Sequence, residues 1–354
     1  MMDQHWKRML SQLKDEGYLL STRWEAAFSS VDRAVFLPPR IDGVEKTHRF
    51  EEWQEAAYTL QPIVTKRATN GTPISSSSDP RVMLDMLESL GLEPGMRVLE
   101  LGTGTGYNTA LLCAVAGTEN VTSIDIDSDV TLSARINLSR CGYPAVAVTR
   151  DGKNGYATRA PYDRLIVTYA VDRLEPAWLQ QVADGGLIVA PWENDLGSQV
   201  VAQFRVQGGQ ATGRATAECA FMFDRAEHES TRVQSAGAYS TTTAFSPEYF
   251  REYASVDLWI IDQIPGISLY PHDDVYMFTR GSDVALLGLE AGEDDQYPVM
   301  GDGHPGFWNE IEAAYSSWFE AGRPFYEDYR LHSDPSGAIT ADVTAAGPEA
   351  SSDG

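Results

Sequence analysis

Apolar positions recur at helical spacing near the start of the chain. Trp6, Met9, Leu10 and Leu13 share one face, as do Trp24, Ala27, Phe28 and Val31, until Pro38-Pro39 breaks the pattern. This predicts an N-terminal helical cap. Between Arg40 and Thr72 the periodicity is poor, and Asn70-Gly71-Thr72-Pro73 marks a turn before the run Ser75-Ser76-Ser77-Ser78-Asp79-Pro80. The run reads as a polar loop set before a helix. From Pro80 the pattern alternates. A helix carrying Val82, Met83, Met86, Leu87 and Leu90 leads to an apolar strand at Arg97 to Leu101. A glycine loop and a helix of Ala110 to Ala116 follow, then a strand from Val121 to Ile126, a helix around Leu132 to Leu138 and a strand from Ala145 to Thr149. A strand at Arg164 to Val167 precedes a helix at Pro176 to Val182, a turn at Gly185-Gly186 and a strand at Leu187 to Ala190. Alternation of this kind predicts an α/β fold, a mostly parallel, doubly wound Rossmann-like sheet covered by helices on both faces.

Farther along, strands at Gln199 to Val206 and Glu218 to Phe223 around Gly208-Gly209 predict an antiparallel hairpin that closes the sheet. Residues 230 to 244 are rich in Ser, Thr and Ala and read as a linker into a Trp- and Tyr-rich α+β module. Within it Phe307, Ile311, Ala314, Tyr315, Trp318 and Phe319 lie at helical spacing, with Gly322 and Pro324 as stop signals. The chain therefore divides into a helical cap and loop (1–72), an enzyme domain (73–225), a C-terminal substrate-recognition module (226–332) and a polar tail (333–354) expected to be disordered.

Composition narrows the partners. A net charge of −24 opposes binding to nucleic-acid phosphate, which depends on Lys and Arg displacing counterions. No stretch approaches the roughly 20 uncharged apolar residues of a membrane helix, and Met1 to Leu20 lacks the apolar core of a secretory signal. A monomeric cytoplasmic protein acting on a peptide or protein is expected. Cys113, Cys141 and Cys219 lie far apart and read as reduced thiols, and the six His residues are scattered without metal-ligand spacing, so no metal is expected.

The chemistry concentrates in Val98-Leu99-Glu100-Leu101-Gly102-Thr103-Gly104-Thr105-Gly106-Tyr107, after a strand and before a helix. Glycines at 102, 104 and 106 allow a tight turn and close backbone approach to a ligand. The order differs from the G-x-G-x-x-G of a pyrophosphate loop, and Glu100 would repel a phosphate and attract an ammonium or sulfonium centre. An adenosyl amino acid fits better than NAD. Asp125 ends the next strand, where a carboxylate can accept both ribose hydroxyls, and Asp151-Gly152 follows the one after, where Asp can accept from the adenine amine while Gly leaves room for the ring.

With these elements in order, residues 20 to 225 resemble the protein-L-isoaspartate O-methyltransferases. The likeness rests on Val31-Asp32-Arg33-Ala34-Val35-Phe36-Leu37-Pro38, the serine run with Asp79-Pro80, the glycine motif, Leu138-Ser139-Arg140-Cys141-Gly142-Tyr143, Asp151-Gly152-Lys153-Asn154-Gly155-Tyr156 and Ala160 to Thr168. The resemblance implies S-adenosylmethionine contacts at Glu100, Gly102, Thr103, Gly104, Asp125, Asp151 and Gly152, flanked by Gly106, Tyr107 and Ile126. The product would be S-adenosylhomocysteine. It also implies a substrate-side hydroxyl at Ser78, from a Thr-Ile-Ser-x-Pro loop, with Ser77 beside it and Thr168 on the floor. Two departures stand out. The loop here is Ser76-Ser77-Ser78-Asp79-Pro80, and the family's repair enzymes are taken to lack a C-terminal extension.

That extension resembles actinobacterial relatives associated with ribosomally made peptides. The leading expectation is therefore methylation of an Asp side chain in a modified precursor peptide, the ester then collapsing to an aspartimide. The alternatives are repair of isoaspartyl residues in damaged proteins and, from another class, a non-catalytic peptide-binding module. In the serine run, Ser78 could instead cap the following helix, and Asp79 beside an anionic substrate is unfavourable unless it is the cap.

Overall fold

In the computed structural model, which describes residues 3–222, 238–252, 254–292 and 294–343, the two N-terminal helices form where the periodicity places them. Helix α1 (Gln4–Asp15) is capped by Asp3 and buries Trp6, Met9 and Leu13, while α2 (Thr22–Ser30) is capped by Ser21 and buries Trp24, Ala27 and Phe28. The segment that lacks periodicity is nonetheless structured. It holds a two-residue ladder, β1 (Arg40–Ile41) with β2 (Val44–Glu45), then α3 (Phe50–Ala57) and a hairpin of β3 (Ile63–Arg67) with β4 (Pro73–Ser77). Helix α3 buries only Trp53 and Ala57, too few positions to register as a period.

The serine run is thus a strand up to Ser77 rather than a loop. Serine has little strand preference of its own; pairing with β3 and burial of Ser75 and Ser77 override it. Asp79, not Ser78, caps α4 (Pro80–Leu90), its carboxylate accepting from the Arg81 N–H at 2.8 Å, with Pro80 in the first turn.

The enzyme sheet then assembles. Strands β5 (Val98–Leu101), β6 (Val121–Asp125), β7 (Val146–Thr149), β8 (Tyr162–Val167) and β9 (Val182–Glu193) run parallel in the order β7-β6-β5-β8-β9, connected through α5 (Tyr107–Ala116), α6 (Ser128–Arg140) and α7 (Pro176–Gln181). Gly185 lies inside β9, where the register with β8 jumps, so the expected turn is a bulge. Strands β10 (Gln199–Gln207) and β11 (Gln210–Glu218) make the antiparallel hairpin around Gly208-Gly209, both at positive φ. Its second strand lies earlier than the expected Glu218 to Phe223, because the two-residue turn returns the chain at once and only the small Ala211, Ala215 and Ala217 face inward.

The C-terminal part is interposed rather than appended. Of the expected linker, Tyr239–Thr243 is strand β12, and the rest lies largely outside the described residues. Helices α8 (Tyr249–Glu252) and α9 (Ala254–Gln263), strands β13 (Ser268–Pro271), β14 (Val275–Arg280), β15 (Asp283–Gly288) and β16 (Tyr297–Asp302), and α10 (Phe307–Glu320) follow. The five strands form one antiparallel sheet, and the aromatic stripe of α10 packs on it with Phe245, Phe250 and Phe278. The chain then returns: β17 (Tyr329–Ser333) pairs with β11, and β18 (Ile339–Val343) pairs with β17, completing a nine-stranded sheet whose second half is antiparallel. The expected disordered tail therefore contributes a strand, since Ile339 and Ala341 alternate inward with residues that only the partner strand makes legible; residues 344–354 lie outside the described ones. Among the described residues no helix is long and apolar enough to cross a membrane.

Candidate functional site

The motif glycines adopt the left-handed backbone the sequence suggests, with φ of +96° at Gly102, +52° at Gly104 and +90° at Gly106. The N–H groups of Gly102 and Thr103 both donate to the Ile124 carbonyl, at 2.7 and 3.0 Å, folding the loop across the end of β6. There Asp125, buried at the strand's C-terminal end, accepts from the Gly104 N–H at 2.9 Å and the Asp127 N–H at 3.0 Å. Thr168, at the end of β8, donates to the Gly102 carbonyl at 2.7 Å, and a Cβ on Gly102 would lie 2.3 Å from its Oγ1. A Cβ on Gly152 would meet the Tyr169 hydroxyl at 2.6 Å. Side chains are thus packed against Gly102 and Gly152 so closely that a Cβ at either would force a shift.

These elements open on a cavity of about 650 Å³. It is lined by Gly102, Thr103, Gly104, Tyr107, Asp125, Ile126, Asp151 and Gly152 together with Ser76, Ser77, Ser78, Met83, Phe221 and Met222, and by Thr168 and Tyr169. Among the described residues the lining carboxylates are Asp79, Asp125 and Asp151, and no Lys, Arg or His lines the cavity. Asp79 is held by Arg81, whose Nη2 lies 2.7 Å from it, so the negative field concentrates at the Asp125 end. The β3–β4 hairpin covers the glycine loop, bringing the Ser76 carbonyl to 3.6 Å from where a Gly104 Cβ would stand. It is latched by Lys66, which bonds both Asp127 carboxylate oxygens at 2.9 and 2.7 Å. Burial pushes the Asp127 carboxyl up, but Lys66 and the N–H groups of Val130 and Asp129 outweigh it and hold the pKa at about 2.

The family model for protein-L-isoaspartate(D-aspartate) O-methyltransferase matches residues 4–226. The chain belongs to this family. It is similar to the protein-L-isoaspartate O-methyltransferase of Ignicoccus hospitalis, 33% identical over 205 residues that span 56% of this chain and 87% of that one. The Hyperthermus butylicus protein of that name is 28% identical over 62% of this chain and 90% of its own. A solved protein-L-isoaspartate O-methyltransferase superposes over 96% of this chain and 99% of its own, with a TM-score of 0.58 at 22% identity.

This methyltransferase transfers a methyl group to a carboxyl oxygen and uses S-adenosylmethionine. The residues present fit that group. Gly102, Gly104 and Gly152 give the cavity backbone lining, Asp125 and Asp151 offer carboxylates to hydroxyl and amine donors, and the absence of lining cations among the described residues suits a sulfonium. Two expected cofactor residues stand apart. Glu100 is fully buried outside the cavity lining, where it accepts from Asn108 Nδ2 at 2.8 Å, Ser123 Oγ at 2.6 Å and Thr109 Oγ1. Burial pushes its pKa to about 7 against those hydrogen bonds, so it ties β5, β6 and α5 together rather than facing the sulfonium. Gly106 also lies outside the lining; a Cβ there would meet Leu138 at 3.3 Å, so it lets α6 pack against the start of α5. Tyr107 reaches the cavity with its ring braced on Phe28 and Phe36.

The full-length superposition also revises the view of the extension: a solved member of the family has a comparable C-terminal part, so its presence does not set this chain apart. Sequence reasoning missed Arg33, Tyr169, Phe221 and Met222. Arg33 lies in the stretch Val31 to Pro38; Tyr169 directly follows Thr168, and an aromatic there at a strand's C-terminal end was a usable signal. Replacing Lys66 by Met is expected to speed S-adenosylhomocysteine release several-fold, since the ion pair is partly exposed and modest. Stopped-flow release rates that rise with salt in the wild type but not in the variant would support the latch, and equal rates would remove it.

Proposed function

We propose that this methyltransferase repairs proteins by methylating the carboxylate of L-isoaspartyl residues, acting as a cytoplasmic monomer. The observation that carries the reading is one cavity joining the glycine loop and Asp125 to the end of β4 at Ser77 and Ser78. The names of the relatives support the same substrate. The dedicated precursor-peptide reading leaned on the extension, and a comparable C-terminal part in a solved family member weakens that support. Three free thiols accord with a reducing compartment.

Bound S-adenosylmethionine supplies an electrophilic methyl group. The chain's residues have little acid–base work to do, because a carboxyl with a pKa near about 4 is ionised at neutral pH. Their task is orientation, which can lower a barrier by several kcal/mol when the reacting atoms are held at about 3 Å. Ser78 lines the cavity directly before the Asp79 cap, and Thr168 fixes the Gly102 carbonyl and with it the loop.

The test offers labelled S-adenosylmethionine with two peptides that differ only in carrying isoaspartyl or aspartyl at one position. Label on the isoaspartyl peptide, followed by methanol release, is expected. Label confined to the aspartyl peptide would reject repair and return the precursor-peptide reading.

A further inference from the structure

Arg33 is completely buried and makes six hydrogen bonds, none of them to a carboxylate. Nη1 donates to the carbonyls of Ala57 and Thr59, at 3.4 and 2.7 Å. Nη2 donates to those of Gln61, Ser77 and Ser78, at 3.3, 3.3 and 3.0 Å. Nε donates to the Ser77 hydroxyl oxygen at 3.3 Å. Burying a cation among neutral acceptors is costly, and the single turn that carries Arg33 could be packed with an apolar residue instead. Stability alone does not call for a guanidinium here.

Its position relative to the acceptor end gives a reason. Ser77 is buried, lines the cavity, and stands where the resemblance would have the Ile of Thr-Ile-Ser-x-Pro. Because its oxygen accepts from Arg33 and its own proton has no acceptor among the described residues, the hydroxyl is left as a donor polarised by a positive charge. Among the described residues no cationic side chain lines the cavity, so from these an incoming carboxylate otherwise meets only neutral donors and the Asp79 carboxylate. We propose that Arg33 is a positioning residue that turns the Ser77 hydroxyl into a second hydrogen-bond donor for the acceptor carboxylate, beside Ser78. Burial lowers the Arg33 pKa to about 10, which leaves it charged at neutral pH. The pair compensates the acceptor's charge without placing a free cation in a cavity that must also receive a sulfonium.

This inference rests on reading the β4 end of the cavity as the acceptor site. The experiment uses whichever of the isoaspartyl and aspartyl peptides the wild type methylates, so failure on the isoaspartyl peptide removes the repair reading and leaves Arg33 to be judged on the other. Ser77→Ala, Ser77→Thr, Arg33→Lys and the Ser77→Ala/Arg33→Lys double variant are compared for peptide KM, kcat and S-adenosylhomocysteine Kd. Ser77→Ala is expected to raise the peptide KM about tenfold with the Kd unchanged, the scale of one hydrogen bond to a charged group. Ser77→Thr should restore most of the affinity. Arg33→Lys should raise the KM in the same direction, and the double variant should be no worse than Ser77→Ala alone, because both changes break one relay. An unchanged peptide KM in Ser77→Ala would overturn the proposal. So would KM and Kd worsening in parallel in all variants, which marks a purely structural role, or activity of the wild type on neither peptide.

Discussion

Gly102→Ala is expected to cut methyl transfer by about a hundredfold or more, with the loss appearing as weaker cofactor binding. Two costs combine. At φ +96° an alanine is strained, of the order of 1–3 kcal/mol. Its Cβ would also stand 2.3 Å from Thr168 Oγ1, closer than real contacts allow, and at a tight 3.2 Å from Tyr169 Cδ1. Thr168 cannot turn away freely, because the same oxygen donates to the carbonyls of Gly102 and Leu101. The loop must then shift, and its N–H groups leave the Ile124 carbonyl and Asp125. Calorimetric titration with S-adenosylhomocysteine measures the loss. Adding Thr168→Ala should recover part of the affinity by removing the clash while the backbone strain stays. A single variant that binds as well as wild type would mean the loop yields at no cost, and the close approach is not needed.

Asp257→Asn is expected to stabilise the fold at about pH 8 and to change it little at about pH 4. Asp257 sits on α9, fully buried, with the Ser198 hydroxyl donating to Oδ2 and no partner for Oδ1 among the described residues. Helix α9 joins the interposed part to the enzyme sheet, where Leu258 enters the main core and Tyr329 donates to the Ser255 carbonyl at 2.8 Å. Burial pushes the Asp257 pKa from 3.8 to about 8, against the pull of Ser198. The folded state therefore holds a proton that the unfolded chain releases. Its contribution is complete below pH 3.8 and is lost as pH rises toward 8, at up to about 1.4 kcal/mol per unit. Asparagine keeps an acceptor for Ser198 and cannot ionise, so the gain in Tm should grow with pH across that window. Glu100, raised to about 7, weakens both proteins alike and cancels in the difference. A Tm difference of the same size at both pH values would show that Asp257 does not titrate as its burial implies.

Some of the site could be read directly from the chain. The glycine motif, Asp125 at a strand end and Asp151-Gly152 after the next strand are each defined by a few neighbouring residues, and the structure brings all of them to one cavity. Glu100 shows the limit. Its place two residues before Gly102 suggested contact with a cation, but alternation along β5 turns its carboxylate toward Thr109 and Ser123, which local spacing does not record. The serine run shows the reverse. Its composition reads as a loop, yet pairing to β3 makes it a strand and brings Ser75, Ser76 and Ser77 into the cavity lining.

The chain alone carried the helix–strand alternation, the parallel half of the sheet and the glycine loop with Asp125 and Asp151 beside it. Those follow from apolar periodicity and backbone freedom, which act over a turn or a single strand. The pairing of the serine run with β3, the burial of Arg33 against Ser77 and the strand contributed by the tail came from long-range contacts instead. Arg33 meets Ser77 across 44 positions, and β11 meets β17 across more than a hundred. Such pairings are stable because burial deprives polar groups of water and leaves them one set of partners, a condition that exists once the chain has closed around them.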